Sequence, residues 1–232
     1  IKNAARNIAF GKVMNSGQTC IAPDYILADE KIEGKLLKAL CEEFNIMVGD
    51  ALRNNKYPRI INEKHFRRLE GLLKGQEIYC GGKSDPETLK IEPTVLINTD
   101  PESPVMQQEI FGPVLPVISY RSLPDAEKFI EDREKPLALY LFTESKETVD
   151  EVMGKLSFGG GCVNDTLSHI NIDELGFGGV GASGMGSYHG IHSFNTFSHR
   201  KGIYEKCGKF NMPAKYQPYP DKPSSLIRKI LG

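Results

Sequence analysis

Cys20 closes the run Met14-Asn15-Ser16-Gly17-Gln18-Thr19-Cys20 and is followed by Ile21-Ala22-Pro23. A thiol between a glycine-containing polar turn and a proline stop is held where a ligand can approach the backbone. That is how a nucleophile is presented, and thiolate is the strongest common nucleophile at neutral pH. Gly17 leaves room, and the Cys20 backbone N–H is placed to stabilise a developing oxyanion. No histidine stands nearby, so a Cys–His protease pair has no local support. The competing reading is a cysteine that is simply buried.

Two more segments could carry chemistry. Gln107-Gln108-Glu109-Ile110-Phe111-Gly112-Pro113 leads into an apolar run from Val114. Gly-Pro ends one conformation and starts another, leaving Glu109 and Phe111 on irregular backbone at a strand edge. Glu109 could accept hydrogen bonds from a sugar diol, and Phe111 could pack on a flat heterocycle. A solvated glutamate and a core phenylalanine are the alternative. The third segment runs from Gly176 to Gly186, followed by Tyr188-His189-Gly190 and Ser193-Phe194. Gly176-x-Gly178-x-x-Gly181 fits the dinucleotide fingerprint by letter but lacks the strand before and the long amphipathic helix after. A tightly folded loop lining a pocket fits better than a phosphate cradle. His169, His189, His192 and His199 lack carboxylate or cysteine partners at ligand spacing, so structural roles are expected and no metal site is.

These segments need elements to hold them. Ile1 to Met14 reads as a helix with Ile1, Ala5, Ile8 and Val13 near one face, running into the Asn15-Ser16-Gly17 stop signal. Tyr25–Ala28 is a short strand candidate. Ile32–Phe44 is helical, with Leu36, Leu37, Leu40, Cys41 and Phe44 as its stripe, which makes Cys41 a core residue. Glu63–Leu73 is a helix with Phe66, Leu69 and Leu73 inward. Cys80-Gly81-Gly82-Lys83 reads as a turn, with no partner in view for Cys80. Pro93–Ile97 and Val114–Tyr120 are strands. Ser122 and Asp125 match a capping box before a helix carrying Ala126, Phe129 and Ile130. Leu137–Phe142 is a buried strand, Ser145–Leu156 a helix, and Gly159-Gly160-Gly161 leads into the strand Cys162-Val163. The alternation predicts an α/β fold, mainly a parallel sheet with flanking helices. From Lys209 four prolines break regular structure, so residues 1–208 are expected to form the α/β domain and 209–232 an extended C-terminal tail. Its end, Leu226–Leu231, is a short amphipathic stretch suited to packing or subunit contact.

The chain has 232 residues, with 29 basic against 30 acidic side chains. No charge block points to nucleic acid, no run is apolar and long enough to span a bilayer, and no signal peptide is expected. The five cysteines are odd in number and widely spaced. No zinc site or disulfide framework is expected, and the compartment expected is reducing.

Together the segments resemble the aldehyde dehydrogenase superfamily. The signatures are Met14–Cys20, then Glu109-Ile110-Phe111-Gly112-Pro113, then Phe177-Gly178-Gly179-Val180-Gly181 with Ser183-Gly184. Tyr188-His189-Gly190 through His199, Arg59-Ile60-Ile61-Asn62, Pro93–Leu96 and Val163-Asn164-Asp165-Thr166 resemble the class-three and fatty-aldehyde branch. The resemblance covers nearly the whole chain and implies the catalytic domain of that fold. It implies that Cys20 attacks an aldehyde to give a thiohemiacetal and then a thioester, with its own N–H as an oxyanion donor. It implies that Glu109 binds the ribose and Phe111 flanks the nicotinamide of NAD or NADP. Asn15, Asn164, Thr166, His169 and Phe177 are implied at the substrate pocket. Gly176 departs from the branch, which usually carries proline there.

In the family the cofactor domain, the oxyanion asparagine and the general-base glutamate precede the nucleophile, so the chain reads as a C-terminal catalytic half. The expectation is a part that needs the N-terminal cofactor domain, acts on an aldehyde, and belongs to a cytoplasmic homodimer (or to the cytoplasmic face of a membrane if the parent is anchored). The competing readings are a cofactor-independent thiol esterase at Cys20 and a non-enzymatic assembly domain.

Overall fold

Helix α1 (Lys2–Val13) buries Ala5, Ile8 and Ala9, spaced to share one side of a helical turn. In a computed structural model of the chain, which describes residues 1–209 and 216–218, that stripe packs on helix α2 (Glu33–Val48) through Leu36, Leu37, Leu40 and Phe44. Ile1, expected on the buried face, is exposed, and Lys12 takes the inward position instead. Between them lie strand β1 (Ile26–Asp29) and the nucleophile segment. Helix α3 (Glu63–Leu73) starts where expected, because the Asn62 side chain accepts from the His65 N–H at 3.0 Å. Its buried residues are Phe66, Leu69 and Leu72, with Leu73 only partly buried.

Strands β2 (Glu77–Cys80), β3 (Ser84–Asp85), β4 (Lys90–Ile91), β5 (Thr94–Ile97) and β6 (Val114–Tyr120) follow. The main sheet has the order β1-β6-β5-β2. β6 runs parallel to both β1 and β5, with Ile26 opposite Val117 and Thr94 opposite Val114, while β2 closes one edge antiparallel to β5. β5 and β6 are covered on both faces. Val95, Leu115 and Val117 meet α1 and α2; Leu96 and Val114 meet α3. Alternation along the strands thus separates two cores, as a sheet with helices on both faces requires.

Helix α4 (Leu123–Glu131) begins at the expected capping box, where the Asp125 carboxylate accepts from the Ser122 N–H at 3.0 Å. Strand β7 (Ala138–Leu141), helix α5 (Lys146–Lys155) and strand β8 (Gly160–Val163) form a βαβ unit with parallel strands. β7 is mostly half-buried rather than a buried strand, with Leu139 buried against Val152 and Leu156 and Leu141 partly buried beside them. Helix α6 (Gly190–Thr196) ends the order. The fold is α/β with a mixed, mostly parallel sheet, as the sequence predicts. By packing the chain divides into residues 1–198 and 199–232. Every element named here belongs to the first part. The expected tail, including Leu226–Leu231, lies outside the described residues apart from Lys209 and 216–218. Among the described residues no helix is long and apolar enough to cross a membrane.

Two expectations fail together. Cys41 and Cys80 form a disulfide, with Cα atoms 6.3 Å apart. Cys80 ends strand β2 rather than sitting in a turn. The partners are 39 residues apart in sequence, and only the pairing of β2 with β5 carries Cys80 over α2. The turn lies just beyond, where Gly81 and Gly82 both take positive φ. A Cβ at Gly81 would stand 2.1 Å from the Pro93 carbonyl oxygen, so the chain can double back only through glycine.

Candidate active site

Asn15, Ser16 and Gly17 adopt φ of 49°, 54° and 71°, three successive left-handed residues that reverse the chain after α1. For the two non-glycines this conformation is costly and needs surrounding bonds to hold it. The bonds are present. Asn15 Nδ2 donates to the Gln18 carbonyl at 3.0 Å, and Gln18 Nε2 donates back to the Asn15 carbonyl at 3.0 Å. Buried Gln18 also donates to the Arg59 carbonyl at 3.2 Å and accepts from the Ile61 N–H at 2.9 Å. Ser16 Oγ donates to the Pro58 carbonyl. Cys20 stands exposed at the end of this braced turn. Beside it the Thr19 hydroxyl is buried with no hydrogen-bond partner among the described residues.

Gly17 sets how this turn meets the Glu109 segment. A Cβ there would lie 2.3 Å from the Gly112 carbonyl oxygen, so the two backbones touch where no side chain can fit. Gly112 in turn lies against Leu69 of α3, 2.4 Å from where its own Cβ would be. The contact leaves Phe111 at φ 47° with its ring 40% exposed. From α3, Arg68 donates to the carbonyls of Glu109, at 3.3 Å, and Ile110. Glu109 and Phe111 share a shallow cavity with His65, Arg68 and Gln108. Cys20, Glu109, Tyr140 and Asn164 all line a larger open cleft of about 1660 Å³.

Two charged residues behind the turn escaped the sequence reading. Lys12 is 1% exposed and donates to the Pro23 carbonyl at 2.8 Å. Asp24 accepts from the Ile110 N–H at 3.0 Å. Burial pushes Lys12 down from 10.5 to about 8, against the pull of Asp24 and Glu109. Burial pushes the Asp24 carboxyl up, opposed by Lys12, the Ile110 N–H and Arg68. Partial burial and then Asp24 push Glu109 up, opposed by Arg68 and Lys12. The signal was available, because Lys12 continues the Ala5–Ile8 stripe of α1 at helical spacing, a position where a lysine must be buried and paired.

The glycine-rich segment is a folded loop. Phe177 is buried and exchanges both backbone hydrogen bonds with Tyr188, each 2.9 Å. A Cβ at Gly178 or Gly179 would fall 2.1 Å from the Gly186 carbonyl oxygen or 2.2 Å from that of Ser183. The glycines therefore serve backbone stacking. Gly176 lies against the His192 ring, which a Cβ would approach to 3.0 Å. Phe177 packs with Ile21, the residue after Cys20, and with Leu167. Tyr140 donates to the Ile21 carbonyl at 2.7 Å. Burial pushes its hydroxyl well above the ordinary range, against a backbone hydrogen bond at Leu167, so it stays a donor.

The other expected pocket residues are spoken for. Asn164 accepts from the Thr143 N–H at 2.9 Å and donates to its carbonyl at 2.8 Å. Thr166 is buried and donates to the Asn7 carbonyl at 2.8 Å, tying this loop to α1. His169 is buried among Tyr140 and Phe177, with Nδ1 3.4 Å from Cys162 Sγ and Nε2 unpartnered among the described residues. Burial lowers its pKa, so the ring is neutral at pH 7. Asn15 is used within the turn itself.

The aldehyde dehydrogenase family model matches residues 1–203. The chain is 47% identical over 226 residues to "Aldehyde dehydrogenase, dimeric NADP-preferring" of Rattus norvegicus, covering 97% of this chain and 50% of that protein. It is 49% identical over 225 residues to "Aldehyde dehydrogenase family 3 member A2" of Mus musculus, covering 97% of this chain and 46% of that one. Among solved structures, "Substrate bound state of Staphylococcus Aureus AldH" superposes with a TM-score of 0.86 at 45% identity, covering 92% of this chain and 48% of the other. The chain spans about half the length of these three proteins.

Proposed function

The chain belongs to the aldehyde dehydrogenase family, and from that premise we propose that it carries the nucleophile and part of the cofactor seat of an NAD(P)-dependent aldehyde dehydrogenase. The observation that carries this reading is the glycine-to-glycine contact between the Cys20 turn and the Glu109 segment. It sets an exposed thiol and an exposed aromatic–carboxylate pair on two sides of one rigid junction.

Cys20 Sγ attacks the aldehyde carbon, giving a thiohemiacetal whose oxygen is met by the Cys20 N–H. Glu109 and Phe111 fit a nicotinamide nucleotide by their chemistry, the carboxylate for a ribose diol and the outward ring for the nicotinamide face. Bound there, NAD or NADP would supply the hydride acceptor that converts the adduct to a thioester. Arg68 holds the backbone under Glu109 and so aims its carboxylate. Phe177 and Tyr140 shape the ground around Ile21, and Asn164 holds the cleft wall at Thr143. The remaining length of the relatives would carry the rest of the cofactor seat, and the isolated chain would then lack turnover. The rat relative is described as dimeric, and we extend a homodimer to this protein on the same footing.

The test compares aldehyde-dependent formation of reduced NAD or NADP by the whole protein and by Cys20→Ala. Loss of activity in the variant with retained folding is expected. Unchanged turnover in Cys20→Ala, or steady turnover by the isolated 232-residue chain, would contradict the reading.

A further inference from the structure

Among the described residues, the segment enclosed by the Cys41–Cys80 disulfide contains the partners that hydrogen-bond the Ser16 and Gln18 side chains of the Cys20 turn from outside it. Pro58 accepts from Ser16, while Arg59 and Ile61 hold both ends of the Gln18 amide. Arg68, on α3 in the same segment, holds the Glu109 and Ile110 carbonyls. The disulfide ties the two ends of this segment, α2 and β2, to each other. β2 is an edge strand with mostly exposed side chains, and its pairing with β5 shifts register between Ile78 and Cys80. The disulfide thus joins helix α2 to an edge strand beside its point of irregular pairing. Both cysteines are half-buried at the margin of the α1–α2 core.

We propose that Cys41–Cys80 is a thiol–disulfide exchange site for low-molecular-weight thiols, and that closing it stiffens the segment that braces the nucleophile. On closing, one of the two thiolates attacks a small disulfide RSSR and displaces RS⁻, leaving a protein–S–S–R mixed disulfide. The second thiolate then attacks the protein sulfur and displaces the other RS⁻. The cysteine pair loses two electrons, RSSR gains them, and two RSH result. Opening is the reverse, driven by excess RSH. Cys20, Cys162 and Cys207 stand outside this couple as free thiols.

The experiment equilibrates the whole protein in graded mixtures of reduced and oxidised glutathione, then quenches by alkylation. Peptide mapping should show Cys41 and Cys80 changing together from two alkylated thiols to one linked peptide as the mixture becomes oxidising. The closed form should melt about 8–15 °C above the open form, from the loop entropy removed and the size of the chain. Amide exchange at residues 58–68 should be slower by roughly tenfold or more in the closed form. The double variant Cys41→Ser/Cys80→Ser should behave as open protein at every ratio; if it does not fold, reduced wild type supplies the same comparison. Free Cys41 and Cys80 under all oxidising mixtures would overturn the proposal. So would a link that forms yet leaves melting and exchange at residues 58–68 unchanged.

Discussion

Replacing Lys12 with methionine tests whether a charge is buried behind the nucleophile turn. The side chain is 1% exposed, and burial brings its pKa from 10.5 to about 8. The sign follows from proton counting. Between those values the unfolded chain holds a proton that the folded chain has lost, so stability rises with pH across that window. Below about pH 8 the folded protein carries the full cost of a buried ammonium, roughly 3 kcal/mol. By about pH 9.5 most of the folded lysines have lost the proton and roughly 2 kcal/mol of that cost is relieved. Lys12→Met keeps the volume and removes the titration. Asp24, deprived of its cation, then titrates still higher, and a carboxyl raised in the folded state loses stability as pH rises. Both effects have one sign: wild type gains on the variant as pH rises. Urea unfolding of both proteins at about pH 7 and about pH 9.5 measures this directly. Taking the difference cancels other groups, including buried Tyr57, whose raised pKa weakens both proteins at alkaline pH. Parallel stability curves for the two proteins would refute the burial argument.

Gly17→Ala should cost about 1–2 kcal/mol for the left-handed backbone alone, seen as a lower melting temperature. By separating Gly112 from the turn it should also lower aldehyde turnover of the whole protein by roughly a hundredfold; near-normal turnover would show that the glycine contact does not set the site. Leu40→Ala, at a fully buried position between α1 and the sheet, should destabilise by about 2–5 kcal/mol in urea unfolding, while the folded fraction alkylates Cys20 at the wild-type rate. His169 takes up a proton more readily unfolded than folded, because burial lowers its pKa below 6.5. Acidification through that value should therefore destabilise wild type more than His169→Phe, as judged by melting temperatures across pH 5–7.

What was legible in the sequence was what is local in it. The Phe66–Leu69 spacing and the Ser122–Asp125 box each lie within a turn, and α3 and α4 sit where those signals put them. β6 showed itself as an apolar run because both its faces are covered. β2 did not, because an edge strand with exposed side chains has no apolar face to display. The disulfide was hidden for a related reason, since its geometry exists only once β2 has paired with β5. At the site, Cys20, Glu109 and Phe177 stood out by residue type and neighbours. Their supports did not: Gln18 is tied to Arg59 and Ile61, and Asp24 to Ile110, across gaps of 41, 43 and 86 residues.

Lys12 then bears on why the site is built as it is. A lysine in the apolar stripe of α1 contradicts the helix's own pattern, and a leucine or methionine there would avoid a buried charge. Its ammonium instead holds the Pro23 carbonyl and offsets Asp24, whose carboxylate holds the Ile110 N–H beside Glu109. Remove the cation and Asp24 tends to take a proton. It would then be a poorer acceptor for Ile110, and the Glu109 backbone would keep only Arg68. The local rule is broken where the buried pair ties the backbone after the Cys20 turn to the Glu109 segment. If Cys20 and Glu109 act as proposed, the roughly 3 kcal/mol of buried charge is the cost of holding the Glu109 segment against the thiol turn.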